Sequence, residues 1–424
     1  MDSVVILPFQ VFLCAFCPVV SAPAIPYTAA EITGHGGVSR EQLIAHYFLS
    51  GYTAYEIIAF LCFRHDIAIS LRHLRRVLRR LGLRRREESD LEDVIEVMVS
   101  LLNDTSNSLG YRFMWRLLTT QYNFRVSQHT VRQLLRAIDP EGVRLRTLRR
   151  FRRRRYISRG PNYLIHIDGF DKLKPFGISV HAAIDGFSRR ILWIQAGPSN
   201  KNPRNIAYLF LELIERLQGV PKIVRADRGT ENSLVRDIQI ALRQHHNDSF
   251  RAERSFLYGR STANQRIEAW WSQLKRLSGH EWINFFKDLR DAGIFDTSDD
   301  IHIECARFAF MSLIQRDFSR IAEMWNQHRI RRQPNVECPP GKPDVMYFLP
   351  EVYDTRDCKR HLHYSAAEIQ QVKTEYCEPF PAYGCSSEFE EVLTDLIGDV
   401  NRYALPSTRE EAFDIFCTLV EILE

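Results

Sequence analysis

Tyr163-Leu164-Ile165-His166-Ile167 is a β-type run that leads straight into Asp168-Gly169, and the segments around it take their places from it. Two further β-type runs follow at 178–184 and 191–195, with Asp185-Gly186 as a hairpin-like turn between them. A helix is expected over 205–217, stopped by Gly219 and Pro221. A fourth strand over 222–226 runs into Asp227. A helix over 233–243, a short fifth strand within 252–257 and a strong helix over 262–277 complete the series. Strands and helices in this order define an α/β layered domain.

Asp168 and Asp227 each close a strand, and strand ends hold side chains rigidly at one edge of a sheet. Glu268 lies within the helix that carries Asn264-Gln265-Arg266-Ile267-Glu268-Ala269-Trp270-Trp271. Taken singly, each has a plain reading: Asp168-Gly169 as a turn, Asp227 as a loop carboxylate, Glu268 as an exposed helix residue. Taken together, three carboxylates form a hard oxygen donor set. Phosphoryl transfer on DNA needs such a set around two divalent ions roughly 4 Å apart, and Mg²⁺ suits it because it leaves positions for water and phosphate. Asp171, Asp185 and Glu231 are neighbouring carboxylates; Asp185 reads as turn-forming and Glu231 as a first-turn helix charge.

The stretch 161–330 resembles the integrase core of retroviral integrases and related transposon enzymes, in particular the animal integrase-core group descended from mobile elements. The matching residues, in order, are His166-Ile167-Asp168-Gly169, Ala183-Ile184-Asp185-Gly186-Phe187-Ser188-Arg189, Arg225-Ala226-Asp227-Arg228-Gly229-Thr230-Glu231-Asn232, Gly259-Arg260-Ser261 and Asn264-Gln265-Arg266-Ile267-Glu268. Trp325-Asn326-Gln327-His328-Arg329-Ile330-Arg331 fits the segment that closes such cores. The resemblance implies a ribonuclease-H-like fold and a DDE site of Asp168, Asp227 and Glu268. It further implies two Mg²⁺ or Mn²⁺ ions, DNA as partner, a homo-oligomer and no small-molecule cofactor. Gln265, Ser272 and Lys275 share the helix face of Glu268. Polar and basic groups at such positions contact DNA in integrases, which makes Lys275 the first candidate for a phosphate contact and Arg266 the second. Ile267, Trp270, Trp271 and Leu274 read as core.

Upstream the chain is helical in pattern. Residues 40–49, 54–63 and a third segment after Ser70 read as three helices, with Thr53 as an N-cap. In the third, Leu74, Val77, Leu78 and Leu81 make an apolar stripe, while Arg72, Arg75, Arg76, Arg79 and Arg80 follow the same spacing on the opposite side. This is the pattern of a DNA-contacting helix in a helix-turn-helix over 38–86, and a solvated charged face is its bland alternative. The segment 69–79 aligns with 126–136 at a constant offset, so a second such unit is expected over 91–140. Eight arginines fall within 144–155, giving an Arg-rich linker over 143–160 that suits nuclear import or DNA tracking. The core is expected over 161–332, with 339–344 as a rigid linker-like stretch and 333–424 as an acidic, mostly helical tail.

Nine scattered cysteines, with Cys14 and Cys17 as the one CxxC, argue for a reduced protein without structural zinc. Residues 1–37 form an apolar leader and linker whose first basic residue is Arg40, which lacks the basic start of a secretory signal; a signal peptide is the minor alternative to a nuclear protein, and no membrane span is expected. A mobile-element-derived polynucleotidyl transferase is the leading expectation. The alternatives are a domesticated DNA-binding regulator that keeps the fold without catalysis, and a metal-dependent nuclease that does not join strands.

Overall fold

A computed structural model describes residues 38–84, 89–104, 109–148, 158–259, 264–332, 338–397 and 406–423. The expectations for 1–37 with Cys14 and Cys17, for Arg85 and Arg86, for 149–157, and for Arg260 and Ser261 lie outside these residues. Among the described residues no helix is long and apolar enough to cross a membrane, and every cysteine is a free thiol. The described residues of 38–100 and 110–140 form one compact unit, and those from 141 onward, with the short piece 101–109, form a second.

The first unit is all-helical. Its helices are α1 (Arg40–Leu49), α2 (Ala54–His65), α3 (Leu71–Arg80), α4 (Leu91–Asp104), α5 (Tyr111–Thr120) and α6 (Gln128–Ile138). Ser39 and Thr53 each close a capping box, so both helix starts have their free N–H groups satisfied. Leu43, Ile44, Tyr47, Ile57, Phe60, Leu61, Leu74 and Val77 are buried together, and Tyr47 stacks on Phe60 at 4.7 Å. The repeat seen in the sequence has a structural counterpart: Ser70 caps α3 by accepting from His73 N, and Ser127 caps α6 by accepting from Thr130 N. Val131 is buried as its counterpart Leu74 is, while the next buried position is Val77 in α3 and Leu135 in α6, one place apart in the repeat. Arg116, on α5, donates to the Ser50 carbonyl and so joins the two halves.

In the second unit α7 (Pro140–Leu148) comes first, and the sheet begins with β1 (Ile165–Phe170), β2 (Ser179–Asp185) and β3 (Ile191–Gly197). Next come α8 (Pro203–Leu217), β4 (Val224–Ala226), α9 (Ser233–Arg243) and β5 (Phe256–Tyr258). The sheet order is β3-β2-β1-β4-β5, antiparallel on the β3 side and parallel between β1, β4 and β5. With helices flanking it, this mixed sheet has the ribonuclease-H-like arrangement. β1 sits at the centre and is buried almost throughout, so its polar residues His166 and Asp168 are enclosed along with Ile165, Ile167 and Phe170.

The strand turn is built by Asp185. Its Oδ1 accepts from Asn162 N, and its Oδ2 accepts from Phe187 N, Ser188 N and Ser188 Oγ. Burial pushes its carboxyl up to about 6 even against those bonds.

The helix that carries Glu268 runs differently from the expected 262–277. It forms α10 (Gln265–Leu274), widens into a single π-helical turn over Lys275–Gly279, and continues as α11 (His280–Asp291). Leu277, Ser278 and Gly279 are buried in that turn, and Gly279 lies beside Phe170 of β1. The long α12 (Asp300–Gln327) covers the outer edge of β3. There Gln315 accepts from Ala196 N and donates to Ile194 O, and Asn326 does the same at Ile191. Two side-chain amides thus replace a missing neighbour strand and blunt the sheet edge.

The linker reading of 339–344 is overturned. Lys342 and Asp344 are buried, and α13 (Pro343–Phe348) is buried along its whole length. Asp344 pairs with Arg190 at 2.9 Å, both almost fully enclosed, and the guanidinium also lies over the Tyr347 and Phe348 rings. A turn-rich sequence here marks a tight path through a core. Farther on, α14 (Ala366–Tyr376) reaches α8 through Lys373, which pairs with Glu215 at 2.9 Å. After α15 (Ser387–Ile397), α16 (Arg409–Leu423) inserts Phe416 among Phe295, His302 and Phe310 of the α11–α12 region.

Candidate active site

Three local structures deliver the three carboxylates to one place. Asp168 is the fourth residue of β1, Asp227 follows directly on β4, and Glu268 lies in the first turn of α10. Because β1 and β4 run parallel with Ile165 beside Val224, Asp168 and the position of Asp227 fall at the same level of neighbouring strands. Asp168 is 9% exposed, and burial is the main reason that its carboxyl rises to about 7; the charges of Asp227 and Glu268 push it the same way. Glu268 is half-buried and also raised, first by burial and then by the charge of Asp227. The charge of Asp227 thus reaches both Asp168 and Glu268, and that of Glu268 reaches Asp168.

Their surroundings are asymmetric. Trp271 Nε1 donates to Asp168 Oδ2 at 2.8 Å, and its ring rests on Phe170 at 5.2 Å. An indole N–H can only donate, so this bond fixes the carboxylate orientation and leaves Oδ1 available. Asn264, the residue before α10, donates from Nδ2 to Ile167 O at 2.9 Å, and its Oδ1 takes the Nδ1 proton of His166 at 2.6 Å. That pair welds the start of α10 to β1, one residue from Asp168. Burial holds His166 neutral, pushing it down to about 3. By contrast, Asp227 Oδ1 is buried and has no hydrogen-bond partner among the described residues.

Around this centre lies a polar rim. Asn200 Nδ2 donates to Asp171 Oδ1 at 2.9 Å and lies over Gly169, where any Cβ would run into it. Gly169 is thus required by a close approach. Glu231 folds back over Gly229, and burial followed by the charges of Asp227 and Asp171 raises its carboxyl. Glu231 therefore belongs to the neighbourhood of Asp227, closer to the site than a helix-start charge needs to be. Among the described residues no group of three or more His, Cys, Asp or Glu side chains is gathered as a finished metal cage.

Residues 156–340 match the family model described as the integrase core domain. The chain carries an integrase core domain. No curated protein matches the chain. The match starts shortly before β1 and ends at residue 340, just past the buried Cys338 and within the stretch that the sequence suggested as a linker. Integrase core domains of this kind typically use divalent metals.

Within the integrase core the remaining candidates separate. Lys275 opens the π-helical turn after α10 and is partly exposed, one helical face from Glu268. Arg266 is partly buried and committed elsewhere: Nε donates to Gly186 O at 3.1 Å and a terminal nitrogen to Cys338 Sγ at 3.1 Å. That use as a brace for the Asp185 turn draws it away from a phosphate. In the first unit Arg72, Arg75, Arg76, Arg79 and Arg80 are all exposed on α3, with Arg80 paired to Glu41 at 3.1 Å. The sequence missed Trp271 as the partner of Asp168 and Asn264 as its neighbour's anchor. Trp271 carried a signal only in hindsight of three dimensions, since a buried indole needs an acceptor.

Proposed function

We propose that the protein is a DNA-directed polynucleotidyl transferase, cleaving and joining strands at a site formed by Asp168, Asp227 and Glu268. The observation that carries this reading is the convergence of three carboxylates, one of them pushed to about 7 by burial and by the other two. Such an arrangement gains stability from a cation, and hard oxygen donors suit Mg²⁺ or Mn²⁺. The unbonded, buried Oδ1 of Asp227 fits a metal ligand better than a structural group. Asp168 through Oδ1, Asp227 and Glu268 would hold two ions. When bound, these supply Lewis acidity and charge neutralisation at the reacting phosphate. Trp271 keeps the Asp168 carboxylate turned into the site, and Asn264 keeps α10 at its distance from β1. Lys275 offers its ammonium to a phosphate beside the site, and the arginine face of α3 offers a second, sequence-independent hold on DNA.

The test is nicking and strand transfer on labelled duplex DNA with Mg²⁺ or Mn²⁺, comparing wild type with Glu268→Gln. Metal-dependent products from the wild type alone support the reading. Salt-sensitive DNA binding by both proteins without products from either favours a DNA-binding protein that keeps the fold, a reading supported by the exposed arginines of α3.

A further inference from the structure

The sheet has a second charged end. At the start of β1 and β4, away from the carboxylates, lies a cleft of about 510 Å³ between Tyr163, Lys222 and the strap 354–360. Arg159, Lys222, Arg356 and Arg360 bring four positive charges to it, and Asp354 and Asp357 bring two negative ones. Asp357 Oδ1 is already engaged, accepting from Asn162 Nδ2 and from Lys359 N, each at 2.9 Å. Asp248 lies beside Arg360 at 3.2 Å but is shared with Arg243 at 2.6 Å. Lys222, Arg159 and Arg356 have no ion pair among the described residues. Lys222 is depressed first by burial and then by the charge of Arg360, with Arg159 acting the same way, so these cations crowd one another.

We propose that this cleft binds the phosphodiester backbone of DNA, as a site separate from the carboxylates. The inference rests on the DNA reading above. Crowded cations of one sign are stabilised by an anion that faces several of them at once. A cleft of about 510 Å³ is larger than a lone phosphate needs and admits a nucleotide-sized length of backbone. Tyr163 does not offer a free face for a base, because Lys222 lies over it at 5.1 Å and Arg159 at 5.8 Å. Contact with the backbone, independent of base identity, is what remains. The eight arginines of 144–155 lead along the chain directly into Arg159, which continues the basic character up to the cleft. Lys222 and Asp227 stand at opposite ends of β4, about 15 Å apart at the rise of an extended strand. A duplex held at the cleft therefore engages a different phosphate from the one at the carboxylates.

The experiment is fluorescence-anisotropy titration of the full chain with labelled duplex DNA, over salt from about 50 to 200 mM. The pair Lys222→Gln with Arg356→Gln is expected to weaken binding about tenfold and to reduce the slope of log K against log salt by about 2, with an unchanged melting curve. Lys359→Gln, which removes one charge from the same strap outside the cleft, is expected to keep the wild-type slope. An unchanged slope in the double variant overturns the inference. Thermal protection of the wild type but not the double variant by pyrophosphate, together with an unchanged DNA slope, assigns the cleft to a free phosphate compound and also overturns it. Failure of the wild type to bind DNA removes this inference and the DNA reading together. Loss of nicking in Glu268→Gln with a normal salt slope tests the carboxylates alone.

Discussion

Asp168 carries the largest departure from ordinary carboxylate behaviour in the site, with burial first and the neighbouring charges second holding it at about 7. An unfolded chain releases that proton near 3.8, so between about pH 4 and pH 7 the folded state binds the extra proton. Stability in metal-free buffer therefore falls as pH rises through this window and levels off above it. Asp168→Asn keeps an acceptor for Trp271 Nε1 and removes the charge. It is expected to melt higher than wild type at pH 8 by on the order of 2 kcal/mol, and to match wild type at pH 4, in thermal melts with chelator present. Equal melting at pH 8 would mean that Asp168 is not under this strain. At this scale the sequence was partly legible. Asp168 and Asp227 were read as strand-end carboxylates and Glu268 as a residue inside a helix; β1 runs on past Asp168 to Phe170, and Glu268 falls in the first turn of α10. The hydrogen bond from Trp271 was not, since the aromatic stripe of α10 reads as core and the indole N–H finds its acceptor 103 residues away. The use of Arg266 as a brace was hidden for the same reason, because both of its acceptors are distant in the chain.

Elements add what single residues cannot. On α3, Leu74 and Val77 are buried while five arginines stand exposed, so one face folds the unit and the other is free to meet phosphates. Arg75→Gln with Arg79→Gln leaves the buried face untouched. Its expected effect is a salt slope for DNA binding smaller by about 2 at an unchanged melting temperature, read by anisotropy. A wild-type slope would return these arginines to the role of a solvated surface. The apolar and basic periodicities of this helix were legible because both repeat at helical spacing. The π-helical turn at Lys275–Gly279 was not, because the apolar and polar spacing of 262–277 reads as one continuous α-helix. The same limit applies to β3, whose exposed edge is completed by Gln315 and Asn326 from a helix more than a hundred residues downstream.

At the scale of the second unit, the C-terminal region beyond residue 340 packs onto the integrase core and supports it. Arg190 beside the Asp185 turn and Asp344 of α13 form an ion pair with almost no access to water. Removing one partner leaves the other charge buried, which costs about 3–5 kcal/mol. Asp344→Ala is expected to lower the denaturation midpoint accordingly, while a loss below about 1 kcal/mol would show that the pair adds little to the fold. Proline and glycine around 339–343 suggested a linker, and the burial of α13 reverses that, because turn residues also serve a chain that must bend tightly inside a core. The central claim is that Asp168, Asp227 and Glu268 act as one cation site. Its most direct measurement is a calorimetric titration of Mn²⁺ into the chelator-stripped protein at pH 8, with Asp168→Asn, Asp227→Asn and Glu268→Gln beside the wild type. Binding by the wild type that weakens at least tenfold in each folded variant is the expected result; binding that is the same in all four proteins would contradict it.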